Sequence, residues 1–79
     1  MEVERIVSKR IGKIQISKYV IKEEEEEMEV CVIGGKILVG SSIYVGKNVE
    51  KIREELSQGK LSPKSYDELK TKIYRPGGP

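Results

Sequence analysis

The sequence predicts an α+β fold: a small antiparallel sheet of three or four strands, followed by a two-helix hairpin packed on one face of the sheet. Apolar residues alternate with other residues over much of the first 45 positions, which is the period of a strand. After position 48 they recur at helical spacing. Because the strands precede the helices and do not alternate with them, the order favours α+β over a parallel α/β sheet.

The clearest element is a hairpin over residues 28–45, MEVCVIGGKILVGSSIYV, in which Gly34 and Gly35 form the turn. Both glycines accept the positive φ that a tight two-residue turn needs. Since side chains alternate between the two faces of a strand, this turn predicts a core face that carries Met28, Val30, Val32, Ile37, Val39 and Ile43. It predicts a mixed second face that carries Glu29, Cys31, Ile33, Lys36, Leu38 and Tyr44.

Four strands are predicted in all, at about residues 2–8, 13–22, 28–33 and 36–45. A turn at residues 10–12 joins the first two strands. In the second strand the apolar residues change parity between Ile16 and Tyr19, which indicates a bulge at Ser17-Lys18. Two shorter strands would give the same pattern.

The run of five acids at 23–27 predicts a solvated loop between the second and third strands, because dense like charges repel one another. A contact for a basic partner or for a cation is the alternative interpretation of this run. A metal site is not expected there, because no His or Asp offers the mixed and spaced ligands that such sites use.

Two helices are predicted, at about residues 49–58 and 63–74. Asn48 is a good N-cap for the first helix, and Gly59 is placed to end it. The second helix begins more clearly, because Ser62 is an N-cap and a proline follows it at the first helical position, where a missing N–H costs nothing.

Length and composition predict one domain over residues 1–74 and a flexible tail over 75–79. Cys31 is the only cysteine, so a disulfide framework is excluded and a small buried hydrophobe is expected. With no signal peptide and no apolar run long enough to span a bilayer, we expect a cytoplasmic protein without a membrane partner. Charged residues make up 35% of the chain, mostly Lys and Glu, which is typical of thermophile proteins.

Residues 49–74, VEKIREELSQGKLSPKSYDELKTKIY, resemble the SHOCT family of short C-terminal helical hairpins in prokaryotic proteins. The resemblance is carried by Ile52, Leu56, the turn Gly59-Lys60-Leu61-Ser62, Tyr66 and the segment from Lys70 to Ile73. Pro63-Lys64-Ser65 departs from it, since the family usually has acids after the Ser or Thr. The resemblance covers about a third of the chain and implies a role in assembly or in contact with other chains, without catalytic residues.

The residues that most enzymes use for catalysis are largely missing from this chain. It has no histidine, so the usual general base and any Ser-His or Cys-His pair are absent. Gly34-Gly35-Lys36 lacks the spacing and the following helix of a phosphate-binding loop. We therefore expect no enzymatic activity, no catalytic residues, no cofactor and no bound metal.

Two functional hypotheses follow. The first is a non-enzymatic protein-interaction module or small accessory subunit of a larger assembly, which binds another protein or itself as a homo-oligomer. Its predicted contact residues, on the mixed face of the hairpin, are Ile33, Leu38 and Tyr44. The alternative is a nucleic-acid-binding protein that uses a basic sheet surface for phosphate contact and stacking. Its predicted residues are Lys9, Arg10, Lys13, Lys18 and Tyr19.

Overall fold

The computed structural model describes residues 1–76 and shows a six-stranded antiparallel sheet with two helices. The strands are β1 (Glu2–Ile11), β2 (Ile14–Glu23), β3 (Glu26–Ile33), β4 (Lys36–Val39), β5 (Ser42–Tyr44) and β6 (Ile73–Tyr74). The helices α1 (Val49–Ser57) and α2 (Pro63–Thr71) connect β5 to β6. Strands adjacent in the chain are adjacent in the sheet. The α+β class and the antiparallel sheet are confirmed, whereas the predicted number of three or four strands is wrong.

The two additional strands come from segments that the sequence assigned to other elements. The single strand predicted at 36–45 is wrong, because Gly40 adopts a positive φ of 60° and the chain folds back between β4 and β5. The second helix ends at Thr71 and does not extend to residue 74, since β6 pairs with β5 at the edge of the sheet. Of the predicted tail at 75–79, residues 77–79 lie outside the described part of the chain.

The hairpin register predicted from Gly34 and Gly35 is confirmed, with Ile33 paired to Lys36 and Val32 paired to Ile37. Only Gly34 has a positive φ, at 58°, so the turn depends on one glycine and not on both. A two-residue turn with positive φ at its first position suits the right-handed twist of the flanking strands.

The acidic run forms a hairpin and not a five-residue loop. Glu23 is the last residue of β2 and Glu26 is the first of β3, so only Glu24 and Glu25 make the turn. The predicted loop over 23–27 is therefore wrong at three of its five positions. The last pair of the ladder sets Glu23 opposite Glu26, which are like charges. The N-terminal ammonium of Met1 lies 4.0 Å from Glu23 and the Lys70 ammonium 3.1 Å from Glu26, and both offset part of the repulsion.

The bulge predicted at Ser17-Lys18 is also wrong, because β2 pairs with β3 without interruption. The register shift lies instead in β1, where the extra residue Ile6 separates the pairs Arg5–Tyr19 and Val7–Lys18. A bulge reverses the alternation of side chains beyond it. Val7 therefore lies on the opposite face of the sheet from Val3, although both positions are odd.

The core lies between the two helices and one face of the sheet, which we call the inner face. The sheet contributes Tyr19, Ile21, Val30, Val32, Ile37 and Tyr44. The helices and their connection contribute Ile52, Leu56, Leu61, Tyr66 and Leu69. Burial of one such side chain stabilises the fold by roughly 1.5–3 kcal/mol, so this cluster anchors both helices to the inner face.

The helix ends follow local sequence signals in two of the predicted places. Ser62 Oγ accepts the backbone N–H of Ser65 at 3.2 Å, which confirms the predicted N-cap of α2. Gly59 has a φ of 74° and closes α1 as predicted. Asn48 precedes α1 but makes no side-chain capping bond, because its side chain binds Glu68 instead.

Gly34→Ala and Gly35→Ala form a matched pair that tests the turn. Neither added methyl group would meet another atom within 4 Å, so the two changes differ only in backbone conformation. We expect Gly34→Ala to lower the free energy of unfolding by about 1–2 kcal/mol, because an L-residue is strained at positive φ. We expect Gly35→Ala to change it by less than about 0.5 kcal/mol. Urea unfolding of both variants checks this, and equal effects would contradict the assigned turn.

Candidate protein-interaction surface

The face of the sheet opposite the helices, the outer face, carries apolar side chains where a solvated sheet would carry polar ones. The strand registers align one residue from each strand into a single row across this face, the central row. Its members, in strand order, are Val7, Lys18, Cys31, Leu38, Ile43 and Tyr74. Only Lys18 among them is charged, so the row forms an almost continuous apolar band.

Rows on either side of the central row add further apolar residues and place charges at opposite ends of the face. On one side lies the basic row, Lys9, Ile16, Ile33 and Lys36. On the other side lies the acidic row, Glu4, Val20 and Glu29. The outer face therefore carries bases on one side of its apolar middle and mainly acids on the other, where Lys22 Nζ also lies 3.7 Å from Glu4.

The exposure of these side chains shows that the described chain leaves the outer face open. Tyr74 is 60% exposed, and Ile11 and Ile14, which pair beside the basic row, are 58% and 50% exposed. The apolar residues nearer the centre of the sheet, among them Ile33 and Leu38, are half-buried by their neighbours in the sheet. The fully exposed apolar side chains therefore lie toward the β1–β2 and β6 ends of the face, with half-buried ones between them. Large exposed apolar patches mark interaction sites.

Two of the three predicted protein-contact residues lie together on the outer face. Ile33 and Leu38 occupy adjacent rows on neighbouring strands. The placement of Tyr44 beside them is wrong, because the turn at Gly40-Ser41 reverses the chain and Tyr44 lies on the inner face, 5% exposed. Its neighbour Ile43 takes the outer position instead.

Sequence reasoning missed the apolar residues that β1, β2 and β6 add to the outer face. In β2, the change of parity between Ile16 and Tyr19 was the available signal. The structure shows that it marks a strand with apolar residues on both faces, Ile16 outside and Tyr19 inside. In β1 the bulge at Ile6 concealed the alternation.

The predicted nucleic-acid residues do not form one surface. Lys9 and Lys18 lie in adjacent rows of the outer face, whereas Tyr19 is buried on the inner face and 5% exposed. Arg10 follows Lys9 in β1, so its side chain alternates to the other side of the sheet. Lys13 lies in the turn between β1 and β2. Tyr19 therefore cannot stack on a base whose phosphate the two lysines hold.

A cluster of hydrogen bonds around Tyr44 ties α2 to the sheet. The Tyr44 hydroxyl donates to Glu68 Oε1 at 2.5 Å, and Asn48 Nδ2 donates to Glu68 Oε2 at 2.9 Å. The hydrogen bond from Tyr44, with that from Asn48, lowers the pKa of the Glu68 carboxyl below its usual range. A side chain at Gly46 would overlap the Tyr44 ring, which explains the glycine at that position.

A second cluster joins α2 to the first residue of β3. Glu26 Oε2 accepts the Tyr66 hydroxyl at 2.9 Å and the Lys70 ammonium at 3.1 Å. The hydrogen bond from Tyr66, followed by that from Lys70, lowers the pKa of Glu26. Within residues 1–76, no three acidic or cysteine side chains converge as metal ligands would. One acid of the run therefore fastens a helix to the inner face.

The two edges of the sheet are protected against pairing with another chain. Strand β1 is bulged at Ile6 and carries charged residues at five of its ten positions. Strand β6 is only two residues long. Bulges, charges and short strands all disfavour edge-to-edge association. The outer face lacks this protection within residues 1–76.

The chain matches no protein-family model, no curated protein and no solved structure at a significant level. The resemblance of residues 49–74 to the SHOCT family stays a prediction. Neither helix within residues 1–76 is long and apolar enough to cross a membrane.

Tyr44→Phe tests the first cluster, with Tyr74→Phe as the matched control on the exposed β6. Removal of the Tyr44 hydroxyl leaves the Asn48 backbone N–H without its acceptor and takes one donor from Glu68. We expect a loss of about 1–3 kcal/mol in the free energy of unfolding. Tyr74→Phe should change it by less than about 0.5 kcal/mol. Denaturant unfolding measures both, and a neutral Tyr44→Phe would show that the cluster does not hold the helix layer.

The lowered pKa values of Glu26 and Glu68 predict an acid-dependent loss of stability. A carboxyl with a depressed folded pKa stabilises the fold above its unfolded pKa, and this contribution disappears as the pH falls through the folded pKa. The free-energy difference between the natural chain and Glu68→Gln should therefore shrink from about pH 6 to about pH 3. Free energies of unfolding measured across this pH range test the prediction, with Glu25→Gln in the exposed turn as the control. A difference independent of pH would refute the assigned hydrogen bonds.

Proposed function

We propose that this chain is a non-enzymatic protein-interaction module, which binds another polypeptide chain through its outer face. The observation that carries the proposal is the central row, which crosses all six strands with apolar side chains at five of its six positions. Both helices pack on the inner face, so nothing in residues 1–76 covers this row.

The energetics of a small domain support a partner on this face. A chain of 79 residues buries only about 60–65% of the surface that its unfolded form exposes. Its helices are nine residues each and cover one side of the sheet. Ile33 and Leu38, at the middle of the outer face, would each contribute up to about 1.5–3 kcal/mol on becoming fully buried, and part of that remains available while they are half-buried.

The side chains with shifted pKa values support a structural role for the ionisable groups. Glu26 and Glu68 each accept a tyrosine hydroxyl, and both contacts fasten α2 to the sheet. The chain also contains no histidine. These features favour a binding protein over an enzyme and match the accessory-subunit role, in which a small chain completes or regulates a larger assembly.

The nucleic-acid hypothesis has less support. The aromatic residue that would stack on bases, Tyr19, lies on the face opposite Lys9 and Lys18. Lys18 Nζ lies 4.0 Å from Glu29, and Glu4 adds a further acid to the same face. Carboxylates at these positions repel a phosphate backbone and reduce the charge available to bind it.

Site-specific photo-crosslinking tests the proposal. A benzophenone amino acid replaces Leu38 on the outer face or, as the control, Lys51 on the exposed side of α1. After irradiation in a native lysate treated with nuclease, we expect position 38 to form covalent adducts with a protein chain and position 51 to form none.

Besides the absence of any adduct at position 38, two results would contradict the proposal. One is adduct formation at position 51 but not at position 38, which would assign binding to the helices. The other is adduct formation at position 38 only with nucleic acid in the untreated lysate, which would restore the nucleic-acid hypothesis. Denaturing gels with and without nuclease distinguish both results from the expected one.

A further inference from the structure

The outer face is complementary to a second copy of itself. We propose that two chains stack outer face to outer face as a two-fold symmetric dimer, so that two six-stranded sheets form a sandwich with the helices on the outside. This inference rests on the proposed function, because it names the partner of the same surface.

The charges on either side of the central row select the arrangement. A two-fold axis that runs along the central row leaves each strand above its counterpart and reverses its direction. The basic row of one chain then lies over the acidic row of the other. Both Lys9 and Glu4 belong to β1, so Lys9 meets Glu4 of the second copy, and by symmetry the same contact forms twice.

The other two-fold arrangement for stacked faces is disfavoured by the same charges. An axis along the strands would place each row over the same row of the second copy. Bases would then gather at one end of the interface and acids at the other. Like charges brought together at an interface suppress that mode of association, so the charge pattern specifies the axis along the central row.

Apolar residues of the central row and of β2 are also matched under this axis, whereas Ile33 lies over Glu29 of the second copy, because both belong to β3. The central row lies on the axis, so Leu38 and Ile43 meet the same residues of the second copy. In β2, Ile16 of the basic row lies over Val20 of the acidic row, since both belong to the same strand. Side chains of two stacked sheets interdigitate across about 10 Å, which these aliphatic residues can fill.

The area of the outer face suits a weak, reversible dimer. Standard strand spacings make it about 24 Å wide across six strands and about 20 Å long at β2, from Ile14 to Val20, but β5 and β6 are only three and two residues long. Stacking two such faces therefore buries less than roughly 1,000 Å² in total, which is the range of weak and transient interfaces.

Lys18 is the one charged residue in the central row, and the axis brings it close to Lys18 of the second copy. Its ammonium lies 4.0 Å from Glu29, so its charge is drawn toward the acidic row. This pair of like charges weakens the dimer. Lys18→Met removes this repulsion and should strengthen the dimer. A variant that had lost its fold would not give that result.

The experiment is sedimentation equilibrium of the full chain over a wide range of concentration. We expect a reversible dimer, which Leu38→Glu weakens by about 100-fold because it buries an uncompensated charge in each chain. Lys18→Met should strengthen the dimer several-fold, by about 1 kcal/mol or less. A monomer at every concentration, an unchanged Leu38→Glu variant or a weakened Lys18→Met variant would overturn the inference.

A charge exchange tests the direction of stacking. One variant carries Lys9→Glu with Lys36→Glu, and the other carries Glu4→Lys with Glu29→Lys. We expect each alone to dimerise at least about tenfold more weakly and an equimolar mixture to recover the natural affinity as a heterodimer. Lys51→Glu with Lys60→Glu, on the helix side, is the control of equal charge. An axis along the strands already sets like rows against each other in the natural chain. Single variants that dimerise as well as the natural chain, or a mixture that binds more tightly than it or fails to recover, would therefore reject the proposed axis.

The outcomes separate this inference from the proposed function. If the chain is monomeric while the photo-crosslinker at position 38 still forms adducts with another protein, the self-association is wrong and the interaction surface stands. If position 38 forms adducts with neither another protein nor a second copy, both are wrong.

Discussion

Two tyrosine–glutamate hydrogen bonds, Tyr44 with Glu68 and Tyr66 with Glu26, hold α2 against the inner face of the sheet. Each joins a buried hydroxyl to a carboxylate at the rim of the core, where the surroundings raise the cost of a lost partner. With α2 fixed in this way and α1 packed beside it through Ile52, both helices cover the same side. The opposite side of the sheet, the outer face, is therefore left uncovered within residues 1–76.

The bulge at Ile6 determines which residues reach that outer face from β1. Before the bulge, Val3 packs against the core from the inner side. After it, Val7 joins the central row and Ile11 extends the apolar surface toward the end of the hairpin. Without Ile6 as the extra residue, Val7 and Ile11 would face the helices. With it, both side chains lie on the outer face. The same bulge, with the charges of β1, protects the free edge, so the chain blocks edge pairing while it leaves a face open.

The sequence was sufficient to predict those features that depend on residues close together in the chain. The register of β3 with β4 could be predicted from the turn at Gly34, because a two-residue loop allows only one pairing of the two strands. The end of α1 could be predicted because Gly59 readily adopts the left-handed conformation that closes a helix. The start of α2 could be predicted because the Ser62 hydroxyl accepts a free backbone N–H of the first turn. From these came the α+β class and the outer position of Ile33 and Leu38.

Only the tertiary structure decided the features that depend on residues distant in the chain. Tyr44 lies inside because Gly40 reverses the strand and a glutamate of α2 accepts its hydroxyl. Residues 73–74 form a strand because β5 presents an open edge to them. Glu26, one of five similar acids in sequence, differs from the others because Tyr66 and Lys70 lie beside it. Sequence pattern alone cannot predict such contacts, since burial and pairing at one position are set by the residues that the fold brings to it.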